Sequence, residues 1–367
     1  MKHDLLTIPD KLIKKGLPFA IYCLPFKKKF NLVFQKDSFI HEIDILDIDK
    51  ASGFVVADFD SARTRIINII KPDFTICEGE NTDAIISFLD ALPDNGNFYF
   101  TDNYSISKAD YLERTEYLIN ELKKGHLQKI VFSRVVQKKL KKKLEINHLL
   151  YKLKSKYNSA FINLFHIPGK GTWCGATPEA LFKKVDDYVN TDALASTQLI
   201  DENIDSITWT NKEKDEQNLV SVFIKSSLSE LGIHDYEQVG PLNVCAGHLA
   251  HLQTQFKIPF SLLEKKEGKF IASLHPTPAV CGLPKAEAYL LIQKAEQHQR
   301  RYYTGFFGPW NIANQSQLFV NLRCAELDNN RINIYVGGGL TASSNPEDEY
   351  KETVHKSQTL LSVVENL

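Results

Sequence analysis

The stretch QKIVFSRVVQ, residues 128–137, has the character of a strand that is buried on both faces. The apolar run Ile130–Phe132 suits a pleated, packed surface, and apolar residues occupy both alternating sets of positions within 129–136. A helix that ends at Gly125 would precede this strand. Lys129, at the start of the apolar run, is either a solvated strand end or a lysine that a buried site requires. One isolated lysine at a strand start is more often solvated than buried. The rest of the chain must therefore decide between the two interpretations.

Outside this strand, the chain forms groups of strands and groups of helices rather than strict βαβ units. Short apolar runs between residues 18 and 76 predict strands. Caps and apolar periodicity predict helices over about 107–124, 145–157, 210–231, 284–298 and 347–364. Further strands are predicted between these helices, including one through LFVNLRCAEL, residues 318–327. This grouping favours an α+β sandwich of mainly antiparallel sheets with outer helices.

No composition shift or low-complexity linker marks a domain boundary. We therefore expect a single domain over residues 1–367, in which 1–100 form a less distinctive, strand-rich part. The 44 Lys and Arg residues nearly balance the 45 Asp and Glu residues, which argues against a nucleic acid partner. The six cysteines include no CxxC pair, and no apolar stretch approaches the roughly 20 residues of a membrane span. These features predict a cytoplasmic protein with reduced, mostly buried thiols and no membrane partner.

Two segments carry acidic side chains at helical spacing. Glu213 and Glu216 share one helix face, and so do Glu349, Glu352 and Lys356. Such pairs are usually solvated, but two such faces could instead converge on a hard cation. Mg²⁺ takes one or two carboxylates directly and completes its shell with water and an anionic substrate.

Four further positions could carry chemistry. In GATPEAL (175–181), Glu179 is either a solvated turn residue or a buried general acid. Arg323 is predicted to lie in the middle of a strand, where a buried arginine requires a carboxylate. The glycines of VGGGL (336–340) form either a backbone cradle for an anion or a tight turn between strand and helix. His251 is more often a satisfied core histidine than a catalytic one.

Ten motifs in a fixed order resemble the chorismate-utilising enzymes, a family that contains isochorismate, salicylate, anthranilate and aminodeoxychorismate synthases. The resemblance covers roughly residues 105–360 and rests on KIVFSR, GATPEAL, ALAST, KEKDEQ, HLQT, LHPTPAVCGLP, RRYYTGFFG, LRCAEL, VGGGL and NPEDEYKETVHK. The LHPTPAVCGLP block and the final glutamate-rich block are its most specific motifs. The family implies an α/β/β/α sandwich with the active site between its sheets.

The resemblance also implies a role for each matching residue. Lys129 would be the general base and Glu179 the general acid. Glu216 and Glu352 would hold Mg²⁺, with Glu213 and Glu349 beside it, and without the metal these carboxylates would repel one another. The substrate carboxylates and ring would be bound by Thr197, His251, Tyr303, Arg323, Gly337, Gly338, Gly339 and Lys356.

Lysine at position 129 points to water as the nucleophile. Family members that use ammonia generally lack a lysine there, so the resemblance implies Mg²⁺-dependent isomerisation of chorismate to isochorismate. Three departures from the family pattern stand out: Ser196 where glycine is usual, Gln217 where histidine is usual, and Arg301 where glycine is usual.

Other activities of the same family remain open. An anthranilate or aminodeoxychorismate synthase component would need a glutaminase, and the chain contains no G-x-C-x-G motif, so no glutaminase subunit is expected. Salicylate synthase forms isochorismate and then eliminates pyruvate. The sequence alone distinguishes this activity poorly from that of an isochorismate synthase. A non-catalytic binding protein would not need the lysine and the glutamates. The sequence does not indicate the oligomeric state, nor whether the pathway is that of menaquinone or of a siderophore.

Overall fold

A computed structural model describes residues 5–96, 99–199, 204, 207–246 and 249–365. Its α-helices are α1 (Ile8–Lys15), α2 (Ser61–Thr64), α3 (Asp83–Asp90), α4 (Lys108–Lys123), α5 (Ile146–Lys156), α6 (Asn211–Glu230), α7 (Phe260–Leu263), α8 (Glu267–Leu274), α9 (Lys285–Ala295) and α10 (Pro346–Val364). Short 3₁₀ helices span Leu5–Thr7 and Ile45–Lys50. None of the helices in these ranges is long and apolar enough to cross a membrane.

The strands form two antiparallel sheets. In chain order they are β1 (Phe19–Cys23), β2 (Asn31–Phe34), β3 (His41–Asp44), β4 (Gly53–Ala57), β5 (Ile66–Ile70), β6 (Phe74–Cys77), β7 (Lys129–Lys139), β8 (Phe161–Ile167), β9 (Gly171–Thr177), β10 (Ala180–Val185), β11 (Tyr188–Leu199), β12 (Glu237–Ala246), β13 (Leu249–Pro259), β14 (Gly282–Leu283), β15 (Phe306–Trp310), β16 (Gln317–Val320), β17 (Cys324–Leu327) and β18 (Arg331–Leu340). The first sheet has the order β14-β7-β18-β17-β9-β8-β1-β2-β6, and the second has the order β12-β13-β11-β10-β16-β15-β4-β5-β3.

Apolar contacts stack these sheets into the predicted α/β/β/α sandwich, which is confirmed. The core between the sheets is aromatic; Phe161 of the first sheet stacks on Phe319 of the second with ring centroids 4.2 Å apart. The outer face of the first sheet packs against α1, α5 and α10, and that of the second sheet packs against α6 and α8. A site between the sheets is therefore covered from both sides.

The predicted helices follow from their caps. Ser107 accepts a hydrogen bond from the backbone N–H of Asp110 at the start of α4, and Asn345 accepts two from the first turn of α10. Thr210 and Glu213 form a capping box at the start of α6. Only α9 differs clearly from its prediction, because it ends at Ala295 rather than near residue 298.

The prediction of one strand through residues 318–327 is wrong. The chain leaves the second sheet after Val320 and enters the first at Cys324, so β16 and β17 belong to different sheets. Arg323 lies in this crossover with φ +50°, not in the middle of a strand. Its guanidinium donates to Thr359 Oγ1 at 3.2 Å, and among the described residues it forms no close pair with the expected carboxylate.

The prediction that most cysteines are buried is confirmed. All six thiols are free, and Cys23, Cys174, Cys281 and Cys324 are buried.

Candidate active site

A polar cavity lies between the two sheets, where β7 and β18 face β11. Its walls come from both sheets, from α6 and α10, and from the loop that precedes β14. The lining residues are Lys129, Val131, Pro178, Glu179, Leu194, Ala195, Ser196, Glu216, His251, Ala279, Val280, Tyr303, Leu322, Arg323, Tyr335, Val336, Gly337, Gly338, Gly339, Glu352 and Lys356. Most of the predicted site residues therefore meet at one place.

Lys129 is buried, so the solvated strand end is wrong. Its side chain is 1% exposed, and Nζ lies 2.7 Å from Glu216 Oε1 of α6. Strand β7 is held between β18 and the short β14, where Leu283 pairs with Lys129. This double pairing fixes the backbone from which the amine enters the cavity.

Glu179 lies in the connection between β9 and β10 and is 3% exposed, which excludes a solvated turn glutamate. Burial raises the pKa of its carboxyl to about 8; the negative charge of Asp192 adds to this rise, and Lys129 and Lys356 oppose it. The carboxyl group therefore holds a proton at neutral pH and can donate it.

The three glycines lie within β18 rather than in a turn, since Gly337, Gly338 and Gly339 pair with Ser133, Phe132 and Val131 of β7. A Cβ on Gly339 would come within 2.7 Å of Glu216 Oε1 and 2.8 Å of Lys129 Cε. A Cβ on Gly337 would come within 2.9 Å of the Tyr303 hydroxyl. Glycine is present here because the functional side chains approach the strand backbone closely.

Two cations face the cavity from the α10 side. Lys356 Nζ lies 2.5 Å from Glu352 Oε1 and 3.1 Å from the Gly337 carbonyl oxygen. Arg323 extends from the crossover between β16 and β17, and burial lowers the pKa of its guanidinium. Two cationic side chains therefore reach this part of the cavity wall.

His251 of β13 is neutral, because burial lowers its pKa to about 3. Its Nδ1 lies 2.7 Å from the Ser196 carbonyl oxygen. A carbonyl oxygen only accepts, so Nδ1 carries the proton of the neutral ring. Thr197, the other predicted ring contact, has a side chain that lies outside the described residues.

The four predicted metal-binding glutamates occupy different positions. Glu216 and Glu352 line the cavity, whereas Glu349 lies behind Gly338, where its Oε2 would be 3.0 Å from an added Cβ. Both carboxylate oxygens of Glu213 are engaged, by Gln198 Nε2 and by the Thr210 backbone N–H at 2.7 Å each, so this residue caps α6 and does not line the cavity.

Two of these four carboxylates have cation partners, because Lys129 pairs with Glu216 and Lys356 pairs with Glu352, and these pairs offset part of the expected repulsion. No three His, Cys, Asp or Glu side chains form a ready-made metal cluster within the described part of the chain. The donor set still suits Mg²⁺, since two carboxylates from different helices line one cavity and an anionic substrate could complete the shell.

Several residues that line the cavity, and a buried arginine behind it, were not predicted from the sequence. Ala279 and Val280 of the PTPAV loop line the cavity, as does Tyr335, which stacks on Tyr303 with ring centroids 5.7 Å apart. Tyr335 precedes Gly337 by two residues, and residues two apart on a strand face the same side of the sheet. This spacing could have indicated that Tyr335 faces the cavity. Behind the cavity, the buried Arg300 donates to the carbonyls of Val131 and Val280 at 2.7 Å each.

The two-sheet fold holds a buried lysine and a protonated glutamate in one polar cavity, an arrangement typical of enzymes that use acid–base chemistry. The sequence model described as "Chorismate binding enzyme" matches residues 76–365. The chain therefore belongs to the family of chorismate-binding enzymes.

Among proteins of this family, the chain is similar to several isochorismate synthases. The chain is 28% identical over 265 residues to the vibriobactin-specific isochorismate synthase of Vibrio cholerae, covering 70% of this chain and 67% of that one. It is 28% identical over 246 residues to the isochorismate synthase EntC of Escherichia coli, covering 65% of this chain and 62% of that one. The matches thus span about two thirds of each relative.

The structure resembles the crystal structure of a putative 2,3-dihydroxybenzoate-specific isochorismate synthase, DhbC, from Bacillus anthracis. The TM-score is 0.79 at 22% identity, covering 98% of this chain and 99% of that chain. At this identity the likeness concerns the fold.

Proposed function

We propose that this chain is an isochorismate synthase, an isomerase that converts chorismate to isochorismate with water as the nucleophile. The proposal rests on one observation: the same cavity contains a buried lysine amine, which can act as a base, and a glutamate that is protonated at neutral pH, which can act as an acid. The relatives named above support the same reaction.

The side chains suit a displacement across the ring. Neutral Lys129 takes a proton from water as the water oxygen bonds to C2 of chorismate. The ring double bonds shift, the C4–O bond breaks, and Glu179 gives its proton to the departing hydroxyl, which leaves as water. Lys129 ends protonated and Glu179 ionised, so the two groups exchange a proton through solvent before the next turnover.

The base must be a neutral amine, because an ammonium cannot accept a proton. The ion pair of Lys129 with Glu216 stabilises the ammonium, so this pair must open before water is deprotonated. Arg323, Lys356 and the Tyr303 hydroxyl are placed to bind the substrate carboxylates, and the neutral ring of His251 lines the same cavity.

We also propose that Glu216 and Glu352 hold Mg²⁺, with Glu349 supporting it from behind Gly338. The metal would supply positive charge to the substrate carboxylate. Glu213 has no part in this version of the site, because its carboxylate caps α6.

The test is incubation of the purified chain with chorismate and Mg²⁺, followed by chromatographic separation of the products. Isochorismate as the sole product supports the proposal. Salicylate with pyruvate would replace it by salicylate synthase, and anthranilate formed with added ammonium would replace it by an amino-transferring enzyme. Chorismate recovered unchanged, while binding persists, would indicate a binding protein.

A further inference from the structure

Ser196 holds a strained backbone position in the wall of the cavity. Its φ is +64°, in the left-handed region that favours glycine. It lies where the register of β11 against β13 shifts between Ala195 and Gln198, and it is 8% exposed. A serine persists in such a conformation only when its surroundings compensate for the strain, so its contacts need an explanation.

The side chain of Ser196 joins β11 to the first turn of α6. Its Oγ donates to the Glu213 carbonyl oxygen at 2.7 Å and lies 3.5 Å from Glu216 Oε2. Glu216 is three residues after Glu213, so it lies within one helical turn of the carbonyl that accepts this hydrogen bond. The hydroxyl therefore fixes the helix turn that carries Glu216 toward the cavity.

Beyond Ser196, the space around Glu216 is narrow. Its other carboxylate oxygen, Oε1, lies 2.7 Å from Lys129 Nζ. The same oxygen would be only 2.7 Å from a Cβ on Gly339. A small displacement of α6 therefore changes the contact between Glu216 and Lys129 directly. The backbone of β18 leaves little room for the Glu216 carboxylate to move and restore this contact.

We propose that Ser196 is a positioning residue whose hydroxyl docks the start of α6 on β11 and thereby sets the contact of Glu216 with Lys129. This inference rests on the proposed function, since the rate that it affects is that of water attack on chorismate. The strained conformation is the cost of placing a hydroxyl at this point of the wall.

Two substitutions separate the hydroxyl from the strain. Ser196→Ala removes the hydroxyl and keeps Cβ, whereas Ser196→Gly removes both and relieves the left-handed conformation. We expect each variant to lose about tenfold in kcat, with the chorismate dissociation constant changed less than about threefold, because a misplaced group affects the reaction more than binding. Their melting temperatures should differ, with Ser196→Gly the higher.

The two measurements together decide the role. Equal losses of kcat at unequal melting temperatures support positioning by the hydroxyl. A glycine variant with wild-type kcat, or activities that simply follow the melting temperatures, would overturn the inference, since the hydroxyl would then matter only to stability. Ser226→Ala, on the exposed side of α6, is the matched control and should change neither quantity. If the wild-type chain does not convert chorismate at all, the proposed function fails and not the role of Ser196 alone.

Discussion

At the scale of single residues, Glu179 makes the sharpest prediction because its pKa is raised to about 8. The acid is active while protonated, so kcat should fall as pH rises through about 8. Glu179→Gln keeps the shape and loses the proton. We expect it to bind chorismate normally and to lose about 10²–10⁴-fold in kcat. A variant with raised KM and unchanged kcat would make Glu179 a binding residue instead.

The same group also links stability to pH. Its pKa is 4.5 ordinarily and about 8 in the folded chain, so between these values the folded state keeps a proton that the unfolded state has lost. The contribution of Glu179 to stability therefore falls as pH rises from about 4.5 to 8. Glutamine does not titrate, so the melting temperature of Glu179→Gln relative to wild type should increase over this range. A constant difference would contradict the assigned pKa.

Lys129 can be tested by keeping its charge and removing its basicity. Lys129→Arg retains a cation beside Glu216 but does not deprotonate, so it should lose activity nearly as fully as Lys129→Ala, by about 10²–10⁴-fold. The measurement is the pH–rate profile of isochorismate formation. Lys141→Arg, an exposed lysine in the loop after β7, serves as the control and should behave as wild type. An active Lys129→Arg would show that position 129 supplies only positive charge.

At the scale of secondary structure elements, β18 acts as the floor of the site because it lacks side chains there. In Gly339→Ala the added Cβ would meet Glu216 Oε1 at 2.7 Å and Lys129 Cε at 2.8 Å. We expect a loss of kcat of at least tenfold, since the base and its partner must move. Melting curves separate this effect from unfolding. Wild-type kcat in a fully folded variant would mean that the Lys129–Glu216 pair tolerates displacement.

The end of α9 gives the element-scale stability prediction. Glu296 Oε1 pairs with Arg300 Nη2 at 2.6 Å and also accepts from the Ser133 backbone N–H of β7, with both charged side chains at most 3% exposed. Glu296→Gln leaves Arg300 charged and buried, so the free energy of unfolding should fall by about 3–5 kcal/mol. Urea unfolding checks this, with the exposed Glu287→Gln of α9 as the control. A change below 1 kcal/mol would mean that the carbonyls of Val131 and Val280 alone satisfy the arginine.

Elements whose signals are local could be predicted from the sequence. The helices α4, α6 and α10 begin at Ser107, Thr210 and Asn345, whose caps are visible in the sequence. The end of α9 could not be predicted, because Glu296 leaves the helix for a buried pair with partners that only the tertiary structure supplies. The crossover at Arg323 was hidden for the same reason, since its apolar neighbours read as one continuous strand.

The same division applies to the candidate site. Motif resemblance predicted which residues gather in the cavity, and the structure brings most of them together. It could not indicate that Glu213 is engaged in capping or that Lys129 and Lys356 neutralise the acidic residues. Those facts depend on side-chain geometry, which spacing along a helix does not determine.

At the scale of the whole molecule, the strand-rich first part of the chain is built into both sheets. Strand β1 pairs with β8 in the first sheet, and β4 pairs with β15 in the second. These strands supply one end of the aromatic core between the sheets, through side chains such as Tyr22 and Phe54. Residues without a specific motif therefore support the layers that enclose the cavity.

The last prediction concerns removal of the proposed metal from the whole protein. Without Mg²⁺ the carboxylates of Glu216 and Glu352 still have cation partners, at 2.7 and 2.5 Å, and the three main cores consist of apolar side chains that do not bind the metal. EDTA should therefore abolish turnover while the melting temperature changes by only a few degrees, and added Mg²⁺ should restore activity. Glu216→Gln or Glu352→Gln should raise the Mg²⁺ concentration needed for half-maximal rate, whereas Glu347→Gln at the exposed start of α10 should not. Full activity in a verified metal-free preparation would refute the magnesium site, and unfolding by EDTA would show that the two lysines do not balance the carboxylates.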